Sequence, residues 1–238
     1  MSEVIVKQND EMITLSEYNA DFNGYDCDLG SVETKTYKTM HGTNEKYMNS
    51  MFNPHELTVE FIVKKYTNVL ALARFLTNPT FEFTDDELVY ESSINGFEYE
   101  YVSGDEYLLK LKYNAYIFEN KYINIPIKDN TSIKIDSPSP TAINIEIKAK
   151  ETLVNKVITL SYFDFFTNRN YQNEIKIISL INGKVALIDS NKFLCFVDKN
   201  QLYLNNININ LYPYTKGKID IKGIDATLEL NIMYRKAY

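Results

Sequence analysis

The chain reads as a mainly β protein of two β-sandwich-type domains, the first carrying one short α-helix. Three observations predict this. From Glu174 to Tyr238 apolar and polar side chains alternate in one short run after another, ending in TLELNIMYRKAY, the period-2 pattern of strands with one buried face. Before Pro138 the strand-like runs are interrupted by one segment of helical spacing. Between the two patterns stands SPSPT, Ser137 to Thr141, whose prolines fix φ and lack N–H groups and so suit an extended connector. The connector either joins two domains, residues 1–137 and 138–238, or is a loop inside one larger sandwich; the division into two is adopted.

In order along the chain, Glu3 to Val6, Met12 to Leu15 and Asp21 to Tyr25 are short candidate strands. Leu57, Val59 and Phe61 then alternate with Thr58, Glu60 and Ile62, a strand with one buried face. After Tyr66 the period changes: Val69, Leu72, Ala73 and Leu76 fall on one face of a helix over about 67–77, with Thr67 as N-cap and Pro79 beyond its end. Strands resume at Phe81. Asn95-Gly96 is read as a tight hairpin turn, Ser103-Gly104-Asp105 as the next turn, and YLLKLKYNAYIF as a further strand with a bend near Asn114. The second domain reads as nine strands: INIEIKA, KVITLSYF, NEIKIISLI, KVALID, KFLCFV, QLYL, NININLY, KIDIK and ATLELNIMY. Asn182-Gly183 is read as a hairpin, and the groups at Asp189–Asn191 and Asp198–Asn200 as turns. Nine short, closely spaced strands make a sandwich or jelly roll.

Composition limits the function. With 45% hydrophobic and 24% charged residues the 238-residue chain has the make-up of a folded protein. MSEVIVKQNDEM lacks the basic start of a secretory signal, and VLALARFL is broken by Arg74 and ends at Asn78-Pro79, far short of the roughly 20 apolar residues of a membrane helix. A soluble product without membrane insertion is expected. Cys27 and Cys195 stand one in each half, so no disulfide framework is expected. A net charge of −7 without a lysine-rich stripe argues against specific nucleic-acid binding.

The layout resembles the distal tail protein family of siphophages. Three stretches carry the resemblance: LTVEFIVKKYTNVLALARFL, INGKVALIDSNKF and LYPYTKGKIDIKGIDATLELNIMYRKAY. Family members show an aromatic-Pro pair, a Gly a few residues on, and a last strand ending in Tyr and basic residues; Tyr212-Pro213, Gly217 and Met233-Tyr234-Arg235-Lys236 stand at those places. Lys216-Gly217-Lys218 replaces the more usual Pro-Gly-Asn. The resemblance implies a ring-forming first domain and a galectin-like second one. It further implies a homohexameric hub in the virion tail tip, of a phage or a prophage-derived particle, joining the tail tube to tail-tip and receptor-binding proteins around a channel that DNA traverses.

The segment Ser31 to Glu56 is polar on both faces yet holds Tyr37, Met40, Tyr47, Met48, Met51 and Phe52. A hairpin with no continuous apolar side is not stable alone. By resemblance it is an arm wrapping the neighbouring subunit, with Tyr37, Met40, Tyr47, Met51 and Phe52 as its interface residues; the other reading is a solvated loop over its own domain.

Catalytic chemistry finds little support. His41 and His55 are the only histidines, both in or beside the arm and neither near a cysteine in sequence, and no HExxH, CxxC, GxSxG or GxxxxGK[ST] occurs. Asp26-Cys27-Asp28 and Asp85-Asp86-Glu87 come nearest to metal-ligand clusters and read better as turns or a strand start. No cofactor is expected and no enzyme. The alternative function is a carbohydrate-binding module for a host wall polymer; Trp is absent and the second domain has no His, while Tyr162, Phe163, Phe165 and Phe166 could offer aromatic surface, in a run that reads better as a core strand and its edge.

Overall fold

The computed structural model describes residues 3–9, 11–28, 54–198, 207–209 and 211–238, and the backbone of 36–37, 46–47 and 200–201. The chain is mainly β, as expected, and divides into two compact units, Met1–Asn120 and Lys121–Tyr238.

In the first unit the strands are β1 (Val4–Gln8), β2 (Glu11–Met12), β3 (Ala20–Cys27), β4 (Thr36–Tyr37), β5 (Lys46–Tyr47), β6 (His55–Lys64), β7 (Thr80–Phe83), β8 (Leu88–Ser103) and β9 (Glu106–Glu119). Seven of them form one antiparallel sheet in the order β2-β1-β7-β8-β9-β6-β3. The alternation along β6 buries Leu57, Val59, Phe61 and Val63 completely, against Leu109, Leu111 and Tyr113 of β9. Each such side chain contributes roughly 1.5–3 kcal/mol relative to exposure. The sheet rolls over: Phe22 and Tyr25 of β3 stack on Phe83 of β7 at 5.7 and 3.6 Å between ring centroids. Two halves of one curled sheet thus face each other. The expected strand Met12–Leu15 shortens to Glu11–Met12, and Leu15–Tyr18 is a 3-10 turn closed by Asn19 at φ 48°.

The helix α1 spans Tyr66–Phe75 and turns Val69, Leu72 and Ala73 inward, with Leu76 buried just beyond, the face read from spacing. Thr67 does not cap it. The helix begins one residue earlier, after Lys65 at φ 69°, whose N–H donates to the Asp105 carbonyl at 2.7 Å, so backbone from the β8–β9 turn orders the helix start. Asn95-Gly96 is not a turn: β8 runs straight through it with a register shift between Ile94 and Gly96 opposite β9. The dipeptide forms a β-bulge, and the chain reverses at Ser103-Gly104-Asp105, with Gly104 at φ 56°. β9 is unbroken at Asn114; the irregularity lies on its partner.

The second unit contains β10 (Ile123–Ile127), β11 (Thr131–Ile135), β12 (Thr141–Ala142), β13 (Asn144–Ala149), β14 (Leu153–Asp164), β15 (Arg169–Leu180), β16 (Val185–Asp189), β17 (Leu194–Val197), β18 (Asn200–Gln201), β19 (Ile207–Ile209), β20 (Tyr214–Thr215), β21 (Gly217–Lys222) and β22 (Leu228–Tyr234). A six-stranded sheet, β10-β22-β13-β16-β17-β18, and a five-stranded one, β11-β21-β14-β15-β19, share one core. Ile145, Ile147, Leu230 and Ile232 enter it from the first sheet and Ile158, Leu160, Ile175 and Ile221 from the second.

The unit begins 17 residues before the expected boundary at Ser137/Pro138, since Ile123–Ile127 pairs with Ile123↔Tyr234 register on β22 and Thr131–Ile135 pairs on β21. Pro126 is tolerated because β10 is an edge strand. The proline segment is extended, as its composition requires, but lies within this unit, where Ser139 bridges Ala237 and the Ser137 hydroxyl accepts from the Ala237 N–H at 2.9 Å. Asn182-Gly183 is likewise not a hairpin: it carries the chain from β15 in one sheet to β16 in the other, with Gly183 at φ 79° and its N–H on the Ala149 carbonyl. Of the expected strand QLYL only Gln201 is described; of NININLY, Ile207–Ile209 form a strand, and Leu211 and Tyr212 lie outside any strand.

Candidate assembly surfaces

The arm is rooted between two paired strands. Cys27 at the end of β3 stands opposite Leu57 of β6, and the Asp28 N–H donates to the Glu56 carbonyl at 3.0 Å. Asp28 and Glu56, which flank the segment, therefore lie side by side on the sheet. His55 and Glu56, read as arm, belong to β6. Of the arm, Thr36–Tyr37 and Lys46–Tyr47 form a two-stranded antiparallel ladder, Thr36↔Tyr47 and Tyr37↔Lys46. The structure thus brings the backbones of Tyr37 and Tyr47 into one hairpin. Met40, Met48, Met51 and Phe52 lie outside the described residues, as does His41.

Near the root an acidic turn is committed to tyrosines. The Tyr25 hydroxyl donates to Asp86 at 2.9 Å and to Asp85 at 3.2 Å, the Tyr90 hydroxyl donates to Asp86 at 2.7 Å, and the other Asp86 oxygen accepts the Leu88 N–H. Burial, then the Asp86 carboxylate, pushes both phenols well above their ordinary value, so they remain proton donors. Burial, then Asp26 and Asp28, pushes the Cys27 thiol up to about 11, which removes it as a nucleophile at neutral pH. Among the described residues no group of three or more His, Cys, Asp or Glu side chains is placed to hold a metal.

A second surface, with no signal in the sequence, lies along the outer edge of β8. β8 pairs with β7 only through Val89–Glu91, and its N–H groups reach the preceding loop as far as Ile94. From Gly96 to Ser103 its outer edge has no strand partner among the described residues. Phe97, Tyr99 and Tyr101 alternate along this edge on one face and are 43%, 46% and 63% exposed. Tyr99 lies 5.3 Å from the Tyr66 ring, with the two hydroxyls 3.2 Å apart, and Tyr101 lies 5.8 Å from Tyr107. The opposite face is charged, with Glu98 on Lys112 and Glu60 on Lys110. Edge strands normally carry charge or Pro as protection; an open edge backed by a row of aromatic rings suits strand addition.

In the second unit Tyr162 is buried, Phe163 and Phe165 are half-buried and in edge contact at 4.7 Å, and Phe166 is exposed beside Tyr214 at 4.4 Å and Phe193 at 6.3 Å. The C-terminal motif binds its own unit together. The Pro213 carbonyl accepts from the Ile143 N–H at 3.0 Å, Gly217 opens β21 at φ 85°, the Tyr234 hydroxyl accepts from the Asp136 N–H at 3.1 Å, and Arg235 lies over the Tyr122 ring at 5.4 Å.

A mainly β chain of two units has counterparts among tail proteins of bacteriophages. The crystal structure of the Dit protein of phage SPP1, described as a paradigm of the hub adsorption apparatus in phages infecting Gram-positive bacteria, superposes with a TM-score of 0.51 at 12% identity, covering 99% of both chains. Chains from the baseplate of phage P2 in its activated conformation match at TM-scores of 0.46 and 0.47, with 9% identity and 98% of both chains covered. No family model and no curated protein sequence matches. The fold is Dit-like, and the likeness extends over nearly the whole chain.

Proposed function

We infer that the chain is a structural component of a phage or prophage-derived tail tip, a ring-shaped hub joining the tail tube to the host-adhesion device. The observation that carries this is the Dit-like fold across both units at 99% coverage, since a shared sandwich alone would match half the chain. Copies associate through the first unit. Its arm, rooted between β3 and β6, presents Tyr37, Met40, Tyr47, Met51 and Phe52 to a neighbour, and the open edge of β8 adds a second surface in need of cover. The galectin-like second unit docks other tail-tip proteins. Six copies would carry 6 × −7 = −42 formal charges, a ring that repels rather than retains DNA in transit.

Deletion of Thr34 to Met51 tests the assignment: it leaves a folded chain that no longer forms rings under the electron microscope. Rings of unchanged size in the deletion variant would remove the arm from the interface. The carbohydrate-binding alternative rests on the exposed rings at Phe166 and Phe193. Specific glycan-array binding lost on Phe166→Ala with Phe193→Ala would favour it; no binding to any wall polymer leaves the hub reading standing.

A further inference from the structure

The outer face of the six-stranded sheet carries a cavity of about 560 Å³ where β10, β22 and β13 run side by side, with Asp225 and Ala226 of the β21–β22 connection at one end. Small-molecule sites typically measure roughly 300–1,000 Å³. Ile127, Leu230 and Ile147 are buried on the core side, so the residues next to them on each strand face outward and line the cavity. The ladders set these in two rows. Lys148 stands opposite Glu229, and Ile127 stands opposite Leu230, which brings Lys128, the next residue, to the other flank of Glu229. Two residues further along β22, Asn231 has Pro126 on one side and Glu146 on the other.

Part of this charge is already matched. Lys150 reaches Glu229 at 3.0 Å, and Lys156 of β14 pairs with Asp225, which also accepts from the N–H and hydroxyl of Thr227. Lys150 first, with Lys148 and Lys128 behind it, holds the Glu229 carboxyl below its ordinary value, so all three cations gather about one carboxylate. Lys128 and Lys148 form no ion pair of their own among the described residues, and neither does the half-buried Glu146. Four lysines thus meet three carboxylates in a chain of net charge −7, and the surplus stands at Lys128 and Lys148.

We propose that this cavity binds a phosphorylated polyol, with its phosphate between Lys128 and Lys148 and its hydroxyl groups on Glu146 and Asn231. A lysine ammonium is a point charge that suits the several oxygens of a phosphate, whereas a planar carboxylate is matched by the arginine fork, and no arginine lines the cavity among the described residues. Glu146 only accepts, and the Asn231 amide gives and accepts; hydroxyl groups, which do both, complement that pair. Pro126 and Ala226 supply apolar surface for the carbon chain.

Backbone-amide NMR of the full chain, titrated in turn with glycerol phosphate, inorganic phosphate and glycerol, tests this. Glycerol phosphate should give saturable shifts confined to β10, β13, β22 and the β21–β22 connection, inorganic phosphate should bind about tenfold more weakly, and glycerol should not bind. Lys128→Gln with Lys148→Gln, both exposed positions, should abolish the response to both anions at an unchanged urea midpoint. Glu146→Ala removes a hydroxyl acceptor and a repelling charge together, so it should bring the two anions' affinities close to each other. Equal affinity for the two anions in the unaltered chain overturns the polyol assignment. Shifts that do not saturate, that lie elsewhere or that survive the lysine exchanges overturn the site. Ring formation is read separately, so failure here leaves the hub reading untouched.

Discussion

Gly223 is the position where backbone geometry makes the sharpest demand. It follows β21 at φ 90°, and a Cβ added there would stand 2.2 Å from the Val157 carbonyl oxygen and 3.2 Å from the Ile158 Cα, backbone atoms of β14 that no rotamer change can move. Replacing Gly223 with Ala therefore has two costs. Positive φ for a residue bearing Cβ costs about 1–2 kcal/mol, and overlap in a packed site adds about 1–3 kcal/mol, giving a total loss of about 2–5 kcal/mol. Two other glycines separate these contributions. Gly104, at φ 56° with open space around its would-be Cβ, should lose only the conformational part, about 1 kcal/mol. Gly96, with open space and no positive φ, should change by no more than about 0.5 kcal/mol. Urea titration reads all three, and with slopes of about 1–3 kcal/mol/M the Gly223→Ala midpoint should fall by on the order of 1–3 M. Peptide-resolved hydrogen exchange should place the loss in the second unit. Equal losses for the three variants would refute the reasoning.

Tyr113→Phe removes a buried hydroxyl that donates at 3.1 Å to the Leu76 carbonyl beyond the end of α1; the orphaned carbonyl should cost about 1–2 kcal/mol in urea titration, and a loss under about 0.3 kcal/mol would mean that water takes its place. Burial pushes the Cys195 thiol up to about 11. A folded-state value above the unfolded value of about 8.5 leaves the stabilisation intact below the lower value and removes it as pH rises through the higher. The urea midpoint should thus fall between about pH 8.5 and 11, and Cys195→Ala should remove the thiol's share of that fall; the same slope in the variant would contradict it. Phe97→Ser with Tyr101→Ser on the open β8 edge should leave the fold intact, shown by an unfolding free energy from urea titration unchanged within about 0.5 kcal/mol, while weakening self-association on a sedimentation profile.

Elements whose signal is local could be read from sequence. The buried faces of β6 and α1 follow from the spacing of Leu57, Val59 and Phe61 and of Val69, Leu72, Ala73 and Leu76, and the structure buries each of them. Elements decided by a distant partner could not. Asn95-Gly96 and Ser103-Gly104 carry similar turn chemistry, and only the continuous pairing of β8 with β9 makes the first a bulge and the second the reversal. The strands at Ile123 and Thr131 find their partners about 100 residues later, so the domain boundary drawn at the prolines fell too late. The exposed row of Phe97, Tyr99 and Tyr101 was hidden for a related reason. Its sequence alternates like any strand, and its exposure depends on β7 being only four residues long. Among the candidate interface residues, Tyr37 and Tyr47 share a hairpin, and the others lie beyond the described residues.

Sedimentation equilibrium on the intact protein across a wide concentration range bears most directly on the hub. A ring assembled through the arm requires a species of six chains, or two such rings stacked, that falls to one chain when Thr34–Met51 is deleted. A single-chain mass at the highest concentration, unchanged by adding tail-tube or tail-tip proteins, would contradict it.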